Sequence, residues 1–239
     1  MKRKKKAAAG RPRRIGDDKT SLHSRDDILR VATDEFARSG LSGARVDAIA
    51  ERTRTSKRMI YYHFGSKEAL YLAVLEKAYA DIRSFEKAHA ISALPPEAAL
   101  RYLIELTFDY DEAHPDFIRL VSIENIHRAK HMKSSAAIRS LNISVIDVLR
   151  DILDRGRRQG VFHGAVDAID VHMLISSFCF FRISNQYTFG VAFGRDLTAP
   201  ETRQRHKALI VEAVLRLLKS GPVAAAEQRA SAVHKMEHG

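Results

Sequence analysis

Lys57, Arg58 and Tyr61 stand within about one helical turn of each other and offer ammonium, guanidinium and phenol donors on one short segment. That set suits the phosphate oxygens and base edges of DNA, which accept such donors in the major groove. The residues that must hold them out lie around them. In the run RVDAIAERTRTSKRMIYYHFGSK, residues 45–67, Val46, Ile49 and Ala50 fall on one helical face while Asp47, Glu51 and Arg52 point away. Thr53-Arg54-Thr55 breaks that pattern, and Ser56 is placed to cap a second helix whose Ile60 turns inward. The spacing predicts two short helices joined by a tight turn, the first bracing the second against the groove.

Other chemistries have weaker support. There is no Gly-x-Ser-x-Gly, phosphate-binding glycine loop, His-Glu-x-x-His or Cys-x-x-Cys, so no enzyme is expected, and neither a cofactor nor a metal is called for. His127 and His131 lie four apart, a helical spacing that can hold a metal, but no third ligand is near in sequence. Cys179 is the single cysteine, set between Phe178 and Phe180. It excludes an intrachain disulfide, fits a reducing cytoplasm, and reads as a packing residue ahead of a redox group.

The chain of 239 residues carries a net charge of +11 and a hydrophobic fraction of 45%, enough for a real core. Eight of its cations and no acid fall in residues 1–14. Such an arm either tracks phosphates or is a solvated tail; if it tracks them, its deletion flattens the salt dependence of DNA binding. Ala7-Ala8-Ala9-Gly10 is too short for the core of a signal peptide. The most apolar segment is broken by His172 and Arg182, so no membrane span is expected.

From Ser24, a capping serine and early acids precede Ile28, Leu29, Ala32 and Phe36 on one face, with Gly40 placed as a stop. Ser66 starts a helix through Leu70, Val74 and Ala78, and Leu94-Pro95-Pro96 marks a break. Helices are then expected over 97–112, from Pro115 through the stripe ending at His131, over 138–158, from an Asp167 cap to about Tyr187, and over 201–219. Nothing alternates strand with helix, and no repeat of 20–50 residues is present.

Ile49-Ala50, Ser56, Tyr61, His63-Phe64, Ser66-Lys67-Glu68 and Leu70 together resemble the helix-turn-helix of the TetR/AcrR family of transcriptional regulators. The resemblance implies an all-α protein: a three-helix DNA-binding head joined to a larger helical domain for effector binding and dimerisation. On that basis residues 1–21 are a basic disordered arm, 22–82 the head, 83–220 the ligand-binding and dimerisation domain, and 221–239 a flexible tail. The DNA-facing set is Arg45, Arg54, Thr55, Ser56, Lys57, Arg58, Tyr61, Tyr62 and Lys67, while His63 and Phe64 are expected to pack. Family members commonly carry Gly and a small apolar residue where this chain has Arg54 and Thr55, and Thr where it has Arg45. Arg54 in a left-handed turn is expected to cost about 1 kcal/mol.

The resemblance also implies a homodimer built mainly from the last two helices. Independently, Leu209, Ile210, Ala213, Val214 and Leu217 form an apolar stripe that, with Val171 and Ile175, favours helix-on-helix pairing between copies over the core of one. For an effector, Phe108, Glu124, His127, His131, Phe178, Arg182 and Asn185 set polar groups among aromatics. An arginine there needs an anion: Glu124, an acid of a partner chain, or an acidic ligand. The function expected is a cytoplasmic, ligand-responsive regulator of repressor type. It binds a palindrome in double-stranded DNA as a homodimer and is released by a small molecule. The alternative is a constitutive dimeric DNA-binding protein with an organising role and no ligand.

Overall fold

A computed structural model describes residues 15–87, 91–163 and 166–220, and every regular element among them is helical. The cationic segment at residues 1–14 and the tail at 221–239 lie outside the described residues, and with them the expectations placed on both. Helices α1 (Ile15–Gly43), α2 (Val46–Arg52) and α3 (Lys57–Phe64) lead into α4 (Lys67–Lys87). The first compact unit ends at Val74 and the second begins at Leu75, so α4 continues from one into the other.

In the first unit Ile28, Leu29, Ala32 and Phe36 of α1 are buried with Val46, Ile49 and Ala50 of α2, Ile60 of α3, and Leu70 and Tyr71 of α4. Phe36 and Tyr71 meet edge to face at 5.1 Å between ring centroids. Each large side chain of this kind contributes about 1.5–3 kcal/mol on burial, which sets the angle at which α3 is presented. The N-terminus of α1 differs from expectation. The helix reaches back to Ile15, so Ser24 lies inside it, and residues 15–21 are helical where an arm was expected. No proline lies between Pro12 and Pro95 in the sequence to stop a helix there. Gly40 does break the run, with φ 65 and ψ 177, before a last turn to Gly43.

The second unit holds α5 (Pro96–Ala113), α6 (Pro115–Ile126), α7 (Ala136–Arg158), α8 (Ala168–Ser184), α9 (Gln186–Phe193) and α10 (Pro200–Lys219). Prolines open α5, α6 and α10, where a missing N–H costs nothing. Ser135 and Asp167 cap α7 and α8 by accepting the N–H of Ile138 and of Ile169. Helix α5 packs against α7, α8 and α10. Leu100, Ile104 and Phe108 meet Leu149, Ile152, Val171, Ile175 and Val214 in one core. Phe162 lies flat on Gly156, where any Cβ would collide with its ring.

Three sequence expectations are corrected here. Helix α6 ends at Ile126, and Arg128 and Ala129 take φ of 57 and 56, so His127 and His131 do not share a helical face. The Glu124 carboxylate accepts the N–H groups of His131 and Met132 at 3.2 Å each, which turns the chain back over it. The segment expected to run from Asp167 to Tyr187 is two helices, broken at Asn185. Val171, Ile175, Ile210 and Val214 sit in the core of the single chain, leaving no surface for a partner. Of the residues expected at a dimer face, only Leu209 and Ala213 are exposed, with Leu217 half-buried. Apolar side chains at helical spacing mark an inward face without saying whose core they enter.

Candidate nucleic-acid interface

The turn between α2 and α3 is closed by main-chain bonds from Thr53 to Ile49 and from Thr55 to Ala50, each at 3.0 Å. The Thr53 hydroxyl adds a bond to the Ile49 carbonyl at 2.7 Å. Arg54 between them takes φ 52, so the left-handed position expected there is occupied by arginine itself. The Ser56 hydroxyl accepts the N–H of Met59 at 3.2 Å and caps α3. At the far end Gly65 takes φ 80 and returns its N–H to the Tyr61 carbonyl at 2.8 Å. Ser66 then caps α4 through the N–H of Ala69 at 3.0 Å.

Only Ile60 of α3 is buried. Lys57, Arg58, Tyr61 and Tyr62 are exposed on the same eight-residue helix, Tyr62 by 75%. His63 and Phe64 are half-buried, and the Arg25 guanidinium lies 5.1 Å from the Phe64 ring. Arg45, Arg54 and Ser56 are exposed beside them, while Thr55 and Lys67 are half-buried. Lys67 Nζ reaches the Ser42 carbonyl at 3.4 Å, so it leans on the end of α1. Lys57 Nζ pairs with Asp47 of α2 at 2.5 Å. Asp47 was read only as part of a solvent face, and its distance in sequence from Lys57 hid the pairing. Met59 is also exposed, by 40%, and offers an apolar contact of the kind that meets a thymine methyl.

The first turn of α3 has no acid and two cations. Cations at a helix N-terminus oppose the macrodipole and cost a few tenths of a kcal/mol each. Helix stability alone does not explain them, although Asp47 of α2 offsets Lys57.

In the second unit the expected effector contacts separate into two places. Glu124 is buried and bonds His131 Nδ1 at 2.7 Å, while His127 is exposed. Burial holds the Tyr79 hydroxyl above its ordinary pKa, with Arg83 opposing and Glu124 adding to the shift. Burial and then Arg83 hold His172 below its ordinary value. Arg182 stands elsewhere, 3% exposed, its guanidinium 4.2 Å from the centroid of the Phe108 ring. It donates to the Leu197 carbonyl at 2.7 Å and to His206 Nδ1 at 3.1 Å, and the acid nearest to it is Glu112 at 3.8 Å. Of the three anions weighed for Arg182, Glu124 stands with His131 instead, and the carboxylate beside the guanidinium is that of Glu112 on α5. Phe178 packs edge-on to His206, and Asn185 bonds Ser184. Cys179 is buried, and burial raises its thiol pKa, which keeps it from reacting. Among the described residues no three His, Cys, Asp or Glu side chains gather as metal ligands, and no helix is long and apolar enough to cross a membrane.

A capped helix-turn-helix presenting cations, ahead of a separate helical unit, defines a DNA-binding transcriptional regulator. Residues 28–74 match the family model of bacterial regulatory proteins of the tetR family, and residues 96–214 match the tetracyclin repressor-like C-terminal domain. The chain is 33% identical over 196 residues to the HTH-type transcriptional repressor NicS of Pseudomonas putida, covering 82% of this chain and 92% of NicS. It is 32% identical over 149 residues to the repressor SCO4008 of Streptomyces coelicolor, covering 62% and 72%. A crystal structure of a tetR-family regulatory protein from Rhodococcus superposes with a TM-score of 0.64 at 19% identity, covering 82% and 96%. The chain belongs to the TetR family of transcriptional regulators.

Proposed function

We propose that the protein is a repressor that binds a palindromic operator as a homodimer through α3 and is released by a small molecule held in its second unit. The observation that carries the DNA part is the N-terminal end of α3. Lys57 and Arg58 are exposed there with no acid in the turn, on a helix fixed by Ile60, Ser56 and the α2 turn. NicS and SCO4008 are both named repressors, which supports that sign of regulation.

The dimer is assigned to the exposed faces of the helices whose inner faces fill the core. Ile169, Met173 and Phe181 on α8 and Leu209 on α10 are each more than two fifths exposed. Effector response is assigned to the second unit because it holds buried polar groups whose bonds a ligand could exchange: Glu124 with His131, and Arg182 with His206. Exchange at either set would shift α6 or α8 and so change the spacing of the two α3 helices, which half-sites require at about 34–36 Å or a multiple.

The test selects genomic fragments on the full-length protein, footprints the bound site, and screens small acids and aromatics by thermal shift. Expected are a two-fold symmetric footprint and a compound that both raises the melting temperature and reverses DNA retention. An asymmetric footprint, or a monomer at micromolar concentration in sedimentation, overturns the dimer. Operator binding that no stabilising compound weakens leaves the constitutive reading.

A further inference from the structure

Helix α9 has no buried residue, and Tyr187, Val191 and Phe193 are 69%, 89% and 66% exposed. Eight residues fall short of the roughly 12–15 that a helix needs to persist in water without tertiary support. The helix is nevertheless well terminated: Gly194 takes φ 61, and Arg195 returns its N–H to the Gly190 carbonyl at 3.3 Å. Its ring contacts within the chain run through Phe189, which meets Phe181 at 6.0 Å and Phe193 at 4.5 Å. An apolar patch therefore continues from the end of α8 along α9 with little of its own chain over it. Patches of this kind mark interfaces.

The same unit carries an open groove. Ile138, Ile143 and Ile146 of α7 and Ile169 of α8, with Met132 and Ala129, form the apolar part of an open cleft of about 530 Å³. Lys133, Arg139 and Arg150 line it as well, with Asp147 paired to Arg150 at 2.5 Å.

We infer that α9 is an arm that seats in this groove of a second copy of the chain. The inference rests on the dimer reading above and adds to it which element reaches across. On α8 the exposed apolar residues Ile169, Met173 and Phe181 span about 18 Å on one stripe. In a two-fold interface residue i meets j and j meets i, so pairing the stripe with itself antiparallel sets Phe181 of one copy against the partner's Ile169. Phe181 is where the α9 patch begins, and Ile169 is a wall of the groove. Each arm thus arrives at a groove, twice per dimer. Charge agrees with the placement. Helix α9 bears no charged side chain, the Arg195 and Asp196 that follow it offset one another, and what it brings to a rim with three cations and one acid is its carbonyl end.

Cysteine pairing tests the arm, because the one native cysteine is buried and can be removed. In a Cys179→Ala background, Val191→Cys and Ile143→Cys are made as separate variants, mixed, and treated with a short bismaleimide. Cross-linked dimer is expected in the mixture and not from either variant alone. Cross-linking of Val191→Cys to itself would place α9 against α9 and overturn the inference. So would absent cross-linking in a preparation that sediments as a dimer, which leaves the dimer reading intact; a monomer in sedimentation defeats that reading instead. Val191→Asp, at a site exposed in the single chain, is expected to weaken dimerisation about tenfold with an unchanged helical signal. An unaltered dimerisation constant overturns the arm. So does saturable binding of anilinonaphthalene sulfonate to the wild-type dimer that Ile143→Lys abolishes, because the groove would then be open to a small amphiphile.

Discussion

Glu35 on α1 accepts the backbone N–H of Arg45, the residue just before α2, at 3.0 Å. Arg45 supplies no side-chain cap for α2, but its own N–H is tied to the preceding helix. The same carboxylate, 8% exposed, has Arg38 and Arg52 each at 3.9 Å, and its neighbour Asp34 pairs with Arg52 at 2.5 Å. The acids of α1 thus hold the bracing helix in place. Glu35→Ala is expected to cost about 1–3 kcal/mol by leaving that N–H without its partner, and Glu35→Gln to retain most of the stability. Urea denaturation checks this, and equal midpoints for wild type and Glu35→Ala would show the bond to contribute nothing.

Arg54 holds the left-handed position of the reading turn at φ 52. Arg54→Gly removes the Cβ penalty and is expected to stabilise the head by up to about 1 kcal/mol, less the extra freedom of an unfolded glycine. If Arg54 also meets a phosphate, the same change lowers the slope of log affinity against log salt by about one. Chemical denaturation and a salt titration of DNA binding separate the two effects.

Along α3 the donors are expected to divide by role. Arg58→Ala should change base preference, costing about 1–3 kcal/mol at one position, whereas Lys67→Ala at the start of α4 should weaken binding to all sequences. Asp47→Asn frees Lys57 from its partner and is expected to strengthen non-specific binding. Binding isotherms on the operator and on a scrambled duplex measure all three. Unchanged affinity in Lys57→Ala, Arg58→Ala, Tyr61→Ala and Lys67→Ala alike would remove α3 from the interface.

Arg182 donates to His206 Nδ1, which requires that nitrogen to be unprotonated. Burial, then Arg182 and Arg205, lowers the His206 pKa, and burial with Arg83 does the same for His172. Both histidines bind a proton more readily unfolded than folded. The stability they contribute is therefore complete above the unfolded value near 6.5 and is lost as pH falls from there through the folded values. The melting temperature is expected to decline on acidification from pH 7 to 5. His206→Asn, whose amide oxygen accepts the same bond, should flatten part of that decline. Arg182→Leu should lower stability at neutral pH, because the Leu197 carbonyl loses its donor while Glu112 keeps Arg203. Calorimetry across pH reads each outcome.

What the sequence determined by itself is local. The Ser56 cap bonds a residue three positions on, Ile49 and Ile60 face inward by helical spacing, and Gly65 and the Arg54 turn follow from backbone sterics within a few residues. Those features define the helix-turn-helix and its exposed cations, so that local arrangement was readable before any fold was known. The tertiary structure decided everything that depends on which helix lies against which. Arg182 was legible as a buried cation in need of an anion, but Glu112 on α5 and His206 on α10 answer it only because α5, α8 and α10 pack together. The apolar stripes of α8 and α10 read the same whether they meet their own chain or another. Burial assigned Val171, Ile175, Ile210 and Val214 to the single chain's core and left Ile169, Met173, Phe181 and α9 outside. Hydrophobic burial is non-directional, so periodicity specifies an inward face, and the long-range packing alone specifies what lies beyond it.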